Sequence, residues 1–358
     1  MRRHNNRRLN LSVVTALGAL VFPASFVVAA DEPVMLAEIE VVGFAPLSGA
    51  VKAKKLPYAV QEYNKEDLEK SSTYSVAEML SSRAASVTIN SAQGNRLQPD
   101  LQFRGFTASP LLGLPQGIAV YQNGVRVNET FGDSVNWDLL SASSIERMQV
   151  VAGSNPVYGL NALGGAITVQ TKTGFSTLGK TAAVTLGSDA ARDFSFTAGD
   201  NNGRWGYFVA LDSLQEDGWR DFSDSEAFNL YSALSWRDNG KELDLYLNVA
   251  DTELRGNGSV PEELLQQDRS AVFTHPDITS NELAQLSLSF RQRFDESSQL
   301  SVNAFYRQNT TDSFNGDGSE FEECEAPLDD DFLCDDDGMV ADQFGNDVSE
   351  DFDAINNR

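Results

Sequence analysis

The sequence predicts a small α+β domain followed by the strands of an antiparallel transmembrane β-barrel. Three observations carry that prediction. Residues 57–174 mix short helix signals with short apolar runs. From Thr181 onward the chain takes a period of two, with one apolar and one polar face in each of seven segments. The connections between those segments alternate short and long, as in barrels with short turns on one side of a membrane and long loops on the other.

The N-terminus reads as an export signal. Arg2, Arg3, Arg7 and Arg8 precede an apolar stretch over residues 11–28, and Val28-Ala29-Ala30 before Asp31 suits signal peptidase, so cleavage is expected after Ala30. Past residue 30 no apolar run reaches the roughly 18 residues that a membrane helix needs. Residues 31–56 hold few large side chains, Pro33, Pro46 and the cluster Lys52, Lys54 and Lys55, the composition of a strap. Within it Glu38, Ile39, Glu40, Val41, Val42 and Gly43 form a β-prone run without proline. That run is either an ordinary first strand or an extended peptide that adds a strand to a partner.

In the α+β region, Asn64 and Ser75 are candidate helix N-caps, and Ser75-Val76-Ala77-Glu78 fits a capping box. Residues 87–89 and 101–103 are short strands. Residues 120–127 form a hairpin that turns at Asn123-Gly124, the favoured pair for a two-residue loop. Residues 145–151 make another strand. Gly153, Pro156, Gly159, Gly164 and Gly165 then punctuate a turn, and residues 166–173 alternate apolar with hydroxyl-bearing side chains.

The later strands show faces such as Trp205/Tyr207/Val209/Leu211, Phe228/Leu230/Leu234/Trp236 and Leu243/Leu245/Leu247/Val249. A soluble β-sandwich would alternate in the same way, so connection length decides. Residues 199–204, 237–241 and 294–298 are short links, whereas 212–226, 251–281 and 311 onward are long. Trp205, Tyr207, Trp236, Tyr246 and Tyr306 are placed for the aromatic girdles of a membrane barrel. Seven strands do not close such a barrel, and an open edge in hydrocarbon strands its backbone groups. The sequence is therefore expected to be the N-terminal portion of a longer chain.

Net charge is −25, which argues against nucleic acid as a partner. Residues 312–353 hold 17 of the 52 acidic residues and no Lys, Arg or His, leaving 35 acids against 27 bases elsewhere. The acidity belongs to one segment, which reads as a solvated outer loop or as a funnel for cations. Cys324 and Cys334, the two cysteines, both lie in it and are expected to form one disulfide in an exported chain. Two sulfurs without a histidine make a poor zinc set. His4 and His275 are the only histidines, so no Ser/His/Asp or His-metal constellation can be assembled, and neither catalysis nor a cofactor is expected.

The run IERMQVVAGSNPVYGLNALGGAITVQTKTG, together with LQFRGF at 101–106, GIAVYQNGVRVN at 117–128 and EIEVVG at 38–43, resembles the TonB-dependent outer-membrane receptors. The four segments occur in that family's order. The resemblance implies a signal peptide at 1–30, a strap at 31–56 with a TonB box at 38–43, a plug domain at 57–174, and the first part of a barrel over 175–358. It implies a Gram-negative outer-membrane location, lipid and the TonB complex as partners, a monomer, and active uptake of a scarce ligand, most commonly a ferric siderophore. Arg104, Gly105, Asn155, Pro156, Gly159, Gly164 and Gly165 become plug structural residues, with Arg104 expected to be buried against carboxylates at the plug–barrel interface. Gln116, Tyr121, Asn128, Phe131 and Trp137, on or beside two loops between plug strands, become candidate ligand contacts. A passive porin-like channel and a soluble binding protein remain the rival readings.

Overall fold

The alternating pattern after Thr181 forms pairing strands because each can turn its apolar side chains one way and its polar ones the other. The structure, a computed structural model, describes residues 59–69, 75–295 and 298–317, with short strands outside those ranges described by backbone only. All of these fall in one compact unit, Val41–Arg358. The expected leader, box residues Glu38 to Val41 and Cys324 lie outside the described residues.

Strands β1 (Val42–Gly43) and β2 (Val51–Lys52) pair antiparallel. The α+β domain follows. Strand β3 (Val60–Asn64) leads into helix α1 (Lys65–Glu69), where the Asn64 side chain accepts from the Asp67 N–H at 3.1 Å, a working N-cap. Helix α2 (Val76–Arg83) has Ser75 at its N-cap position, but the hydroxyl makes no cap bond, so that half of the expected capping box is missing. Its Val76, Ala77, Met79 and Leu80 are buried, so packing holds that start in place of the hydroxyl cap.

A small sheet of β4 (Val87–Asn90), β5 (Asp100–Phe103) and β6 (Phe106–Ala108) comes next. The main sheet contains β7 (Ile118–Gln122), β8 (Val125–Arg126), β9 (Ile145–Ala152) and β10 (Gly165–Thr171), in the order β3-β9-β10-β7-β8. Strands β7 and β10 run parallel, and the other pairs are antiparallel. Asn123 and Gly124 both take positive φ, 50° and 83°, as the predicted two-residue hairpin turn requires. Leu80, Leu101, Phe103, Trp137, Met148 and Ile167 meet in the core between the helices and sheets.

The seven predicted strands are present: β11 (Gly179–Leu186), β12 (Arg192–Asn201), β13 (Trp205–Glu216), β14 (Ser225–Asp238), β15 (Lys241–Arg255), β16 (Asp277–Arg293) and β17 (Gln299–Asp317). A single helical turn and a half, α3 (Glu262–Gln267), lies in the connection before β16. Each strand pairs antiparallel with its sequence neighbour. The remaining strands are β18 (Glu322–Glu323), β19 (Leu333–Asp335) and β20 (Gly338–Met339), which form their own sheet, and β21 (Ile355–Asn357), which pairs with the end of β17. The resulting eight-stranded wall does not close on itself among the described residues.

The long connections are shorter than the sequence suggested. They narrow to residues 217–224 and 256–276 because β13, β15 and β16 run on past their apolar stretch. Asp251, Glu253 and Glu282 continue the outward face of β15 and β16, all exposed; a polar outward side ends the greasy band without ending the ladder. The short links remain short, at 202–204, 239–240 and 294–298.

The wall turns its apolar side away from the α+β domain. Trp205, Tyr207, Phe228, Leu234, Leu245 and Leu286 are exposed, while the alternate residues Phe208, Ala210, Tyr231, Ala233 and Ala250 are buried beneath them. From Phe228 to Trp236 the outward apolar face runs about 26 Å along the strand, about 20 Å in height at a tilt of about 40°. That approaches the band of a membrane barrel. Trp205 and Trp236 pair at 6.4 Å at the short-turn end, as a girdle should. Tyr246 departs from expectation: it faces inward and stacks on Tyr231 at 6.4 Å, joining the cluster around Phe208. Its place on β15 has the same parity as Asp244 and Asn248, both buried on the inner face.

Candidate functional site

The inner face of the wall is bonded to the α+β domain along its whole height. At the short-turn end the domain's exit segment lies flat on the strands. The Gly174 carbonyl accepts from Asn201 Nδ2 at 2.8 Å, and Arg237 sits over the Phe175 ring at 5.0 Å. A Cβ at Gly174 would run into the backbone of Tyr207 and Asp200, so only glycine lets the two backbones approach this closely. Higher up, Thr171 Oγ1 lies 2.5 Å from the Tyr231 hydroxyl and accepts from Asn123 Nδ2 at 2.6 Å.

The middle of the contact is made by residues 137–144. Asp138, 2% exposed, accepts from Thr252 Oγ1 at 2.7 Å and from Asn281 Nδ2 at 2.9 Å. Its carbonyl accepts from Asn229 Nδ2 at 2.9 Å, and that of Leu139 from Asn248 Nδ2 at 3.3 Å. Burial pushes the Asp138 carboxyl above its ordinary pKa, against the pull of those two donors. On β13, Asp212 accepts from the Ser141 hydroxyl at 2.5 Å, and Lys172 Nζ donates to the nearby Ser143 carbonyl at 2.9 Å.

At the long-loop end, Glu129 takes a bidentate pair from Arg307 on β17, at 2.8 and 2.7 Å, and a third donor from Asn309 at 3.1 Å. Asn95 donates to Ser225 Oγ at 2.8 Å and to the Arg255 carbonyl at 3.0 Å, and Arg96 pairs with Glu216 at 3.4 Å. Arg220 ties the two long connections together by donating to the carbonyls of Asn257, Gly258 and Ala271. Burial lowers its pKa, though not its charge at neutral pH.

Three loops of the domain gather at this end, residues 109–117, 128–136 and 153–164. They lie before β7, after β8 and before β10, the ends opposite the Asn123-Gly124 turn. Asp133 joins two of them, accepting from Arg126 at 2.9 Å and from Asn161 Nδ2 at 3.2 Å. Gly165, at φ 146°, opens β10 where a side chain would strike the Val151 carbonyl. Asn155 caps the turn of Pro156–Tyr158 by accepting from the Val157 N–H at 3.0 Å, and Gly159 closes it at φ 75°. Gly164 lies against Phe106, 2.5 Å from where a Cβ would stand.

Four of the five candidate ligand contacts turn out to be internal. Gln116 is clamped to Ser109 and Leu111. Asn128 accepts from the Val120 N–H and donates to the Ile118 and Asp133 carbonyls. The Tyr121 hydroxyl donates to the Tyr158 carbonyl at 2.6 Å, and burial raises its pKa. Trp137 Nε1 donates to the Ala108 carbonyl at 3.1 Å, its ring in the core. These four side chains are buried and hydrogen-bonded within the domain, whereas Phe131 is 78% exposed.

Arg104 also departs from expectation. It is exposed at the β5–β6 turn with φ 53° and lies over the Phe103 ring at 5.3 Å; the turn needs the left-handed residue and places the guanidinium outside. Arg307 and Arg96 do pair with carboxylates across the interface.

Residues 52–166 match the TonB-dependent Receptor Plug Domain family. They are a TonB-dependent receptor plug domain. The plug is followed by antiparallel strands whose arrangement resembles the barrel of such receptors. Among curated proteins, the vitamin B12 transporter BtuB of Vibrio vulnificus (strain CMCP6) is 26% identical over 135 residues, 37% of this chain and 21% of BtuB. The unliganded ferric citrate transporter FecA has a similar fold, with TM-score 0.63, 17% identity and coverage of 75% of this chain and 42% of FecA. The ferric yersiniabactin uptake receptor FyuA of Yersinia pestis superposes with TM-score 0.59 and 14% identity, over 75% of this chain and 43% of FyuA. This chain therefore spans less than half the length of each of these proteins.

Proposed function

We propose that the chain is the gate and handle of an outer-membrane receptor that takes up a scarce small ligand with energy drawn from the TonB complex. The observation that carries this reading is the plug seated on the polar inner face of a wall whose apolar face points outward. Such a plug blocks passive flow and must be rearranged for cargo to pass. The work of rearrangement comes from the partner, which grips the run from Glu38 to Gly43 by adding it as a strand. Metal chelates and corrinoids, the cargo named for FecA, FyuA and BtuB, are the class of ligand proposed.

Val41→Pro in the full-length receptor tests this division of labour, because a proline removes one backbone donor from the added strand. Energised uptake into cells is expected to vanish while ligand binding to isolated outer membranes is unchanged. Uptake that survives the substitution, or survives deletion of residues 38–43, supports a passive channel instead.

A further inference from the structure

The two long connections of the wall and one loop of the plug meet at a single buried point. Residues 91–99 of the plug join β4 to β5, and within them Asn95 and Leu97 are 4% and 1% exposed. Leu97 packs with Leu214, Ala227 and Leu254 on the inner side of β13, β14 and β15. Asn95 spans the roots of both connections: its Nδ2 donates to Ser225 Oγ at the start of β14 and to the Arg255 carbonyl at the end of β15. Its Oδ1 accepts from the Leu97 N–H at 2.8 Å, which orients the amide.

The connections are fastened to each other beside this loop. Arg220 in the first donates to three carbonyls of the second. In return Asn257, 2% exposed, donates through Nδ2 to the Asp221 and Phe222 carbonyls at 3.1 and 3.0 Å, and the Asp221 N–H donates to the Ser270 carbonyl at 3.0 Å. The plug reaches the fastening itself. A Cβ at Gly94, which takes φ 69°, would stand 3.2 Å from Arg220 Nη1 and 3.3 Å from the Asn257 carbonyl; one at Gly256 would stand 2.8 Å from Gln98 Oε1. A glycine on each side thus lets the plug close on the connections at a buried guanidinium. Such a group stays out of water only while its donors are matched, and withdrawing Gly94 would let water compete for Nη1.

We infer that residues 93–98 are a keystone: while seated, this plug loop holds connections 217–224 and 256–276 fastened to each other, and its displacement releases them. The connections thereby report the position of the plug, through contacts separate from loops 109–117, 128–136 and 153–164. Coupling of this kind is reciprocal, so loosening the fastening loosens the plug loop by the same factor.

Hydrogen exchange of the full-length receptor in detergent, resolved by peptide, tests this through the cross-effects. Asn95→Ala leaves every bond between the two connections in place, and is expected to speed exchange in 217–224 and 256–276 about tenfold, one step of 1.4 kcal/mol. Arg220→Ala leaves the Asn95 bonds and the Leu97 packing in place, and is expected to speed exchange in 91–98 by a similar factor. Residues 153–164 are expected to keep their rate in both variants. Unchanged exchange at the far partner in either variant overturns the inference, as does an equal rise in 153–164, which would mark a general loosening of the plug. Val41→Pro probes the handle alone: uptake that survives it removes the energised-receptor reading and leaves the keystone standing, whereas absent cross-effects leave that reading intact.

Discussion

Removing the Asp138 carboxylate, alone and together with the Thr252 hydroxyl, measures how firmly the plug is bonded to the wall. Asp138 is 2% exposed and takes donors from two adjacent strands at 2.7 and 2.9 Å. A hydrogen bond to a charged acceptor contributes about 1.5–3 kcal/mol, and these two share one oxygen, so about 3 kcal/mol is assigned to the pair together. Relief from burying the carboxylate works the other way and is of similar size, several kcal/mol even after relaxation, so the single Asp138→Ala variant does not isolate the bonds. In the cycle with Thr252→Val the burial cost cancels, leaving a coupling of about 1.5 kcal/mol. With a urea slope of about 1.2 kcal/mol/M for a domain of this size, that coupling corresponds to about 1.2 M in the unfolding midpoint. The assay is urea-resolved proteolysis of the full-length receptor in detergent, scoring cleavage of the plug while the barrel stays intact. Simple additivity of the two substitutions, within about 0.3 kcal/mol, refutes the reasoning.

The same carboxyl predicts a pH dependence. Burial raises its pKa in the docked plug, so the docked form holds the proton more firmly than the undocked one. Its contribution is full below the ordinary carboxylate pKa of about 4 and is lost as pH rises through the docked value; Asp138→Asn is expected to flatten this slope in the same urea assay. Glu129→Ala leaves Arg307 facing a site where both side chains are under one-fifth exposed, and is expected to lower plug stability by about 2–3 kcal/mol, with part of that loss restored in the Glu129→Ala/Arg307→Ala double variant. Leu245→Arg puts a cation on the outward apolar face and is expected to cost up to about 2–4 kcal/mol of barrel stability, read as loss of the compact, heat-modifiable band on a gel. Equal barrel yield from Leu245→Arg and the parent would place that face away from lipid.

The architecture was legible because its signals are local. Period-two alternation names its own strands, and Asn123-Gly124 needs no distant partner to turn a hairpin. The interface was not, because it is built from ordinary residues whose meaning is set by what lies opposite. Asn229, Asn248, Thr252 and Asn281 read in sequence as generic polar positions of alternating strands, and only the fold brings them to Asp138 and Leu139. Arg104 misled for the same reason. An arginine in a short strand pair suggests a buried ion pair, but the tight turn after Phe103 demands a left-handed residue there and turns the side chain outward. Gln116, Asn128 and Trp137 stand on or beside the loops between the plug strands, yet their hydrogen-bonding capacity is spent within the plug itself. Exposure, which decides between a contact and a brace, is a property of the whole fold.

The plug sheet is asymmetric in how it is attached. Strand β10 sits in its middle and continues through Gly174 straight into the first strand of the wall, whereas β3, nearest the N-terminus, lies at the sheet's margin and pairs with β9 alone through five residues. A tug from the N-terminal side therefore reaches the peripheral strand first and the anchored one last. If the plug is pulled in the way proposed above, β3 is the flank that would peel first and the join of β10 to the wall through Gly174 the seam that would hold.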